Sequence, residues 1–150
     1  MRARAMGVLL SGLAAAGCEE HEFHPPDRAA QVAVADSQYA QLRFDTIAWA
    51  AEDARIEVGN TTFAAHCTRC HGPLGRGGTE YVVEQDLDVP SLVEPGWPYE
   101  GDTDAVRRRV WVGHPQGMPT WGVARLTLRE VDAVAHYIVA QLRPEVLGGG

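Results

Sequence analysis

The chain has no lysine: all 13 of its basic residues are arginine, and they face 20 acidic ones. A formal charge of -7 leaves no basic footprint, which excludes the nonspecific nucleic-acid binding that such a footprint supports. Cysteine is scarce as well. Three cysteines in 150 residues are too few for a disulfide-dense scaffold. Aromatic residues make up only 7% of the chain, although four of them are Trp. The one marked apolar run, Ala5 to Ala16, is too short to cross a membrane as a helix. What is present is an ordinary globular mixture, 45% hydrophobic and 22% charged, sufficient for one domain. Gly 16 and Pro 9 call for long irregular connections.

The positions of the three cysteines are more informative than their number. Met1-Arg2-Ala3-Arg4 is followed by the apolar run and then by Gly17-Cys18, the layout of an export signal over residues 1–17. The segment Leu13-Ala14-Ala15-Ala16-Gly17-Cys18 resembles the end of a bacterial lipoprotein signal, with its leucine further from the cysteine than usual. That resemblance implies cleavage before Cys18, acylation of Cys18, and an exported protein held by lipid at the periplasmic or outer face of a cell membrane. An ordinary secretory signal with a free Cys18 is the alternative. Loss of Arg2 and Arg4 with the signal makes the remaining chain more acidic.

Residues 18–55 read as a lipid-anchored N-terminal extension, a linker or a partner-wrapping segment, with Pro25-Pro26 stiffening its start. Ile56, Gly59, Phe63 and His66 or Cys67 recur at helical spacing and predict a helix over 56–66. Gly and Pro dominate 72–105. Asp102 to Val112 predicts a short helix with an acidic or threonine cap, and 113–122 a loop. The last helix has Thr127 as cap, Glu130 as capping-box partner, and an apolar face of Val131, Val134, Ala135, Ile138 and Val139. Pro144 ends that pattern and leaves 144–150 as a flexible tail. Helices joined by long Gly/Pro loops make the fold mostly α.

Cys67-Thr68-Arg69-Cys70-His71 is the C-x-x-C-H signature of c-type haem attachment. Two thiols spaced by one helical turn suit addition to the two haem vinyl groups, and His71 follows directly as a ligand for the iron. A redox dithiol shares the C-x-x-C core. A zinc site needs four ligands, and a structural disulfide needs no histidine.

The chain resembles a bacterial class I, single-haem cytochrome c over about residues 56–141. Gly59 and Phe63 match the small and aromatic positions of its N-terminal helix. Cys67 to Gly72 match the haem motif, Gly117-Met118-Pro119-Thr120-Trp121-Gly122 the distal-methionine loop, and Tyr137 the aromatic position of the C-terminal helix. The resemblance implies an all-α fold over 56–143, one covalently attached haem c per chain, and close crossing of the terminal helices. It also implies haem-binding residues Cys67, Cys70, His71 and Met118, with His71 and Met118 on the iron. His114, His66 and His136 are the other candidates for the distal position. The carbonyl of Pro73 or of Pro90 is a candidate acceptor for the second nitrogen of His71. Trp111, Trp121 and Tyr99 are candidates to shield the haem or to bond a propionate. Arg76 and Arg107-Arg108-Arg109 are candidate propionate partners, or for the triplet an exposed helix face. The segment before residue 56 departs from the family core.

The function this implies is one-electron transfer by a membrane-tethered cytochrome, without catalytic residues and without a small-molecule substrate or nucleic-acid partner. Its place is as a haem subunit or close partner of a respiratory or photosynthetic complex. An electron-accepting subunit of a periplasmic dehydrogenase and a haem ligand sensor are the alternatives.

Overall fold

Side-chain caps set four of the helix starts among the described residues. The computed structural model describes residues 27–39 and 42–149; the expected signal 1–17 and Cys18 lie outside the described residues. In chain order the helices are α1 (Arg28–Gln38), α2 (Leu42–Asp45), α3 (Glu52–His66), α4 (Thr68–His71), α5 (Glu80–Glu84), α6 (Thr103–Val112), α7 (Trp121–Ala124), α8 (Leu128–Tyr137) and α9 (Arg143–Gly148). A π-helical segment, Ile138–Leu142, joins the last two. No strand occurs among the described residues, in agreement with the all-α expectation. The Asp102 carboxylate accepts from the Ala105 N–H at 2.9 Å and starts α6 where the sequence places it. Thr127 and Glu130 close the capping box of α8: the Glu130 N–H donates to Thr127 Oγ1, and the Thr127 N–H donates to Glu130 Oε2. Helix α3 starts at Glu52, earlier than the apolar spacing predicts. Its first turn carries Glu52 and Asp53, which suit the positive end of the helix dipole.

The core forms where α3 and α6 pack on α8. Phe63, Val131 and Val134 are the largest fully buried side chains, and Val110, Trp111, Leu126, Ile138 and Leu142 extend the cluster. The closest approach is at Gly59. A Cβ there would overlap the carbonyl oxygen of Ala133 and come within 2.5 Å of Tyr137 Cβ. One turn on, the Phe63 and Tyr137 rings meet at 5.8 Å. The expected crossing of the terminal helices is therefore present, and hydrogen is the only side chain with room at that point. His136 of α8 pairs across the same interface with Glu52, an interhelical position rather than a ligand position.

A buried carboxylate ties four segments together. Asp132, 2% exposed, accepts from Trp49 Nε1 at 2.7 Å, Arg55 Nη2 at 2.8 Å and Arg107 Nε at 3.1 Å. These donors come from the segment before α3, from α3 and from α6. Three donors on one carboxylate are what makes burial of that charge tolerable.

The sequence leaves open whether the segment before residue 56 wraps its own domain or contacts a partner; α1 and α2 pack on their own domain. Ala35 is 0% and Phe44 4% exposed, Trp111 Nε1 donates to the Ala35 carbonyl, and Asp36 pairs with Arg108. Residues 144–148, read as flexible, are helical. Pro144 falls in the first turn of α9, where its missing N–H has no helical partner to lose. Arg143 fixes that helix: it is buried, lies over the Trp97 ring, and bonds the Leu92 carbonyl and the Glu100 carboxylate.

Candidate haem site

The proximal half is built from one stretch of chain. Helix α3 ends with the Cys67 N–H on the Phe63 carbonyl. The chain makes one further turn, in which the N–H groups of both Cys70 and His71 reach the Cys67 carbonyl, at 3.1 and 2.9 Å. That turn brings Cys67, Cys70 and His71 together, all partly exposed and with both thiols free. Gly72 then reverses the chain at φ +73. The following loop returns under the motif, with the Gly77 N–H on the His71 carbonyl at 2.8 Å and the Thr79 hydroxyl on the Arg69 carbonyl at 2.7 Å.

The His71 ring is oriented by its surroundings. Its Nδ1 is buried without a well-formed hydrogen bond. The carbonyl of Pro90 nonetheless faces the ring closely enough to favour its protonated form. Of the two carbonyls considered from the sequence, Pro90 is the one that acts on the ring. Burial outweighs it and lowers the His71 pKa, so the imidazole is neutral near pH 7 and one ring nitrogen keeps a lone pair for a metal.

The distal half comes from the loop between α6 and α7. Gly113, at φ +75, turns the chain so tightly that a Cβ would lie 2.5 Å from the Pro119 oxygen and 2.7 Å from the Met118 oxygen. The His114 N–H donates to the Met118 carbonyl at 2.9 Å and closes the turn. Met118 is partly buried against the same apolar cluster that Cys67 touches. The two halves are linked by residues 87–90. A Cβ on Gly117 would sit 3.2 Å from Leu87 Cδ2, and a Cβ on Gly77 2.8 Å from the Val89 oxygen, next to Pro90. Leu87 and Pro90 are at most about 11 Å apart along the chain, so one short segment touches both the Met118 loop and the loop under His71.

The other candidates separate. His114 Nδ1 accepts from the Gln116 N–H at 3.2 Å, which turns that ring to its own backbone. His66 stacks on Trp121 with ring centres 5.3 Å apart. Trp111 gives its N–H to α1, and the Tyr99 hydroxyl accepts from Arg109 Nε and Nη2 at 3.2 and 3.0 Å. Arg107-Arg108-Arg109 is not one face. Arg107 is buried on Asp132, Arg108 is exposed on Asp36, and Arg109 is partly buried on Tyr99 and the Gly113 carbonyl. Asp132, Arg55 and Arg143 carry no local sequence signal, because their partners are remote along the chain.

The donor set fits haem c: two free thiols one turn apart, a neutral imidazole with one nitrogen turned to a carbonyl, and one thioether. It does not fit the alternatives. The Cys67 thiol is crowded by protein, although the residue keeps some exposed surface. Burial, and then the neighbouring Cys70, push it up to about 12, the reverse of a reactive redox dithiol. Among the described residues no group of three or more His, Cys, Asp or Glu side chains could hold a metal ion, and the free thiols leave no disulfide.

Fold and donors together define a class I c-type cytochrome domain, whose cofactor is haem c. Residues 54–138 match the family described as cytochrome c oxidase, cbb3-type, subunit III, and the chain belongs to that family. The cbb3-type cytochrome c oxidase subunit CcoP of Rhodobacter capsulatus is 31% identical over 106 residues, 67% of this chain and 32% of that protein. The cbb3-type subunit FixP of Azorhizobium caulinodans is 33% identical over 92 residues, 61% of this chain and 27% of that protein. The CcoP subunit of Rubrivivax gelatinosus is 27% identical over 93 residues, 62% and 28% of the two chains. The chain thus spans about a third of the length of the curated relatives it matches. No solved structure matches it.

Proposed function

We propose that this chain is a one-electron transfer domain in which Cys67 and Cys70 hold a single haem c and His71 and Met118 ligate its iron. The observation that supports the reading is the Cys67–His71 turn, which brings both thiols and the imidazole together. Each thiol adds its S–H across one vinyl double bond, so two thioether bonds form and nothing leaves. The bound group supplies an iron that cycles between Fe(III) and Fe(II). The protein's part is to keep both ligands in place, so that each electron moves with little rearrangement. The loop around Gly113 and Met118 holds the thioether, and the core of Phe63, Val110 and Leu126 keeps the surroundings apolar. With haem bound, Met118 and His71 as its ligands would raise the potential relative to two imidazoles.

The relatives are named as subunits of cbb3-type cytochrome c oxidases. By that kinship the partner of this chain is a membrane respiratory complex, and the chain is its electron-transferring component rather than its catalyst. No helix among the described residues is long and apolar enough to cross a membrane. We place attachment at a lipidated Cys18, on the periplasmic side.

The test is expression of the full chain with the c-type haem maturation machinery. One haem per chain should stay on the polypeptide through denaturing electrophoresis. It should be lost when Cys67 and Cys70 are both alanine. The ferric protein should show the red-edge charge-transfer band of methionine ligation, absent in Met118→Ala. Haem that dissociates on denaturation, or a band indifferent to Met118, overturns the assignment.

A further inference from the structure

The segment before α3 has no role in the site as described, yet it reaches the distal loop at two separate points. Arg28, the first residue of α1, donates from Nη1 to the Gly117 carbonyl at 2.9 Å, one residue before Met118. The second point runs through Trp111. Its indole N–H donates to the Ala35 carbonyl of α1 at 3.2 Å. Its ring covers Gly122, where any Cβ would overlap the indole. Trp111 thus joins α1 to α7, which follows the same loop directly.

Further contacts fix α1 as a unit. Asp36 pairs with Arg108 of α6. Phe44 of α2 meets the edge of Trp111 with ring centres 6.1 Å apart. Between the two tie points Ala30 and Val34 of α1 face Thr120 and Val123 across a shallow surface groove. The loop is therefore bounded inside by the core and outside by α1. Outward movement of the loop as a whole would strain the Arg28 bond to Gly117 and the Gly122 contact with the Trp111 ring.

We propose that α1 is an internal strap on the distal loop, with Arg28 and Trp111 as positioning residues that set how readily Met118 leaves the iron. This rests on Met118 being the distal ligand. Arg28 is exposed and makes one charge-assisted bond, so it tunes the loop without being needed for folding. Trp111 is 7% exposed and belongs to both the core and the strap.

The experiment uses the full chain with haem attached, and reads the rate at which imidazole displaces the distal ligand of the ferric protein. Arg28→Ala should accelerate displacement roughly fivefold, the worth of one hydrogen bond of about 1 kcal/mol. Arg28→Lys should recover most of that. Trp111→Phe keeps an aromatic ring over Gly122 but loses the N–H, and should also accelerate displacement roughly fivefold. Arg129→Ala removes a bond to the Ala48 carbonyl and a stack on Trp49, both away from the loop. It should leave the rate at the wild-type value. Met118→Ala must abolish the methionine band. If it does, and Arg28→Ala and Trp111→Phe both bind imidazole at the wild-type rate, the strap is refuted while the ligand stands. If Met118→Ala leaves the band intact, the ligand assignment falls and the strap falls with it.

Discussion

Adding one methyl group at Gly59 should separate the two helices that frame the domain. The Cβ of Gly59→Ala would overlap the Ala133 carbonyl oxygen. A backbone atom cannot change rotamer, so α8 must move away from α3 by about 1 Å to restore an ordinary carbon–oxygen contact. Ala133 is 0% and Tyr137 7% exposed, so that movement opens a well-packed core. Overpacking of this kind costs up to about 3 kcal/mol. Alanine returns about 1 kcal/mol, because it is the better helix former. The net loss is up to about 2 kcal/mol.

The neighbouring residue supplies the control. Asn60 lies on the exposed face of the same helix, so Asn60→Ala changes helix propensity and leaves the crossing alone. It should stabilise by up to about 0.6 kcal/mol. Urea unfolding of the haem-loaded protein, followed by Trp fluorescence, should move the Gly59→Ala midpoint down by about 1 M. The melting temperature should fall by about 8 °C. Gly59→Ala at or above wild-type stability would refute the reasoning, because α3 and α8 would then be free to slide and the closeness of the crossing would have no energetic weight.

Asp132→Ala leaves Trp49, Arg55 and Arg107 without their shared acceptor and should cost about 3–5 kcal/mol, measured by thermal unfolding; a loss below about 1 kcal/mol would deny the network its role. The Glu130 carboxyl is held below its usual value of 4.5 by the Thr127 backbone N–H and then by the Thr127 hydroxyl. Its contribution is therefore complete above about pH 4.5 and is lost as the pH falls through the lower folded value. The urea-midpoint gap between wild type and Glu130→Gln should be open at neutral pH and closed in strong acid, and a gap independent of pH contradicts the capping box. With a net charge of -7, oxidation by a small cationic ruthenium ammine should slow as salt rises, and oxidation by an anionic iron cyanide should quicken. Rates unaffected by salt would refute an electrostatic contribution of the acidic chain to electron transfer.

What could be read from the sequence was local. The spacing of Cys67, Cys70 and His71 places three donors on one turn whatever surrounds them. Asp102, Thr127 and Glu130 declare helix starts within three or four residues of themselves. Gly59 was recognised through resemblance, and the structure gives its reason in the Ala133 carbonyl. The misreadings were long-range. Arg107, Arg108 and Arg109 look alike in sequence, yet Asp132, Asp36 and Tyr99 sort them to three environments, and none of those partners is marked by spacing. Pro144 reads as a stop when α8 is taken as one α-helix. The π segment at Ile138–Leu142 precedes a new first turn, and proline is harmless there. Helix α1 buries little beyond Ala35, so its apolar pattern is too thin to announce a docked helix.

The same division runs through the haem site. Its proximal side is one contiguous turn with a carbonyl acceptor from Pro90, so thiols and imidazole are positioned as soon as α3 ends. Its distal side is a loop whose shape depends on Gly113 and on segments far away in the chain. Leu87 touches it at Gly117, Arg28 bonds the Gly117 carbonyl, and Trp111 packs on Gly122 just beyond it. Covalent attachment fixes the haem to the proximal side regardless of the distal one. Changes remote from the motif should therefore leave haem content unaltered and act on the hold on Met118, and through it on the potential. In this chain the extension before residue 56, which departs from the family core, bears directly on that hold.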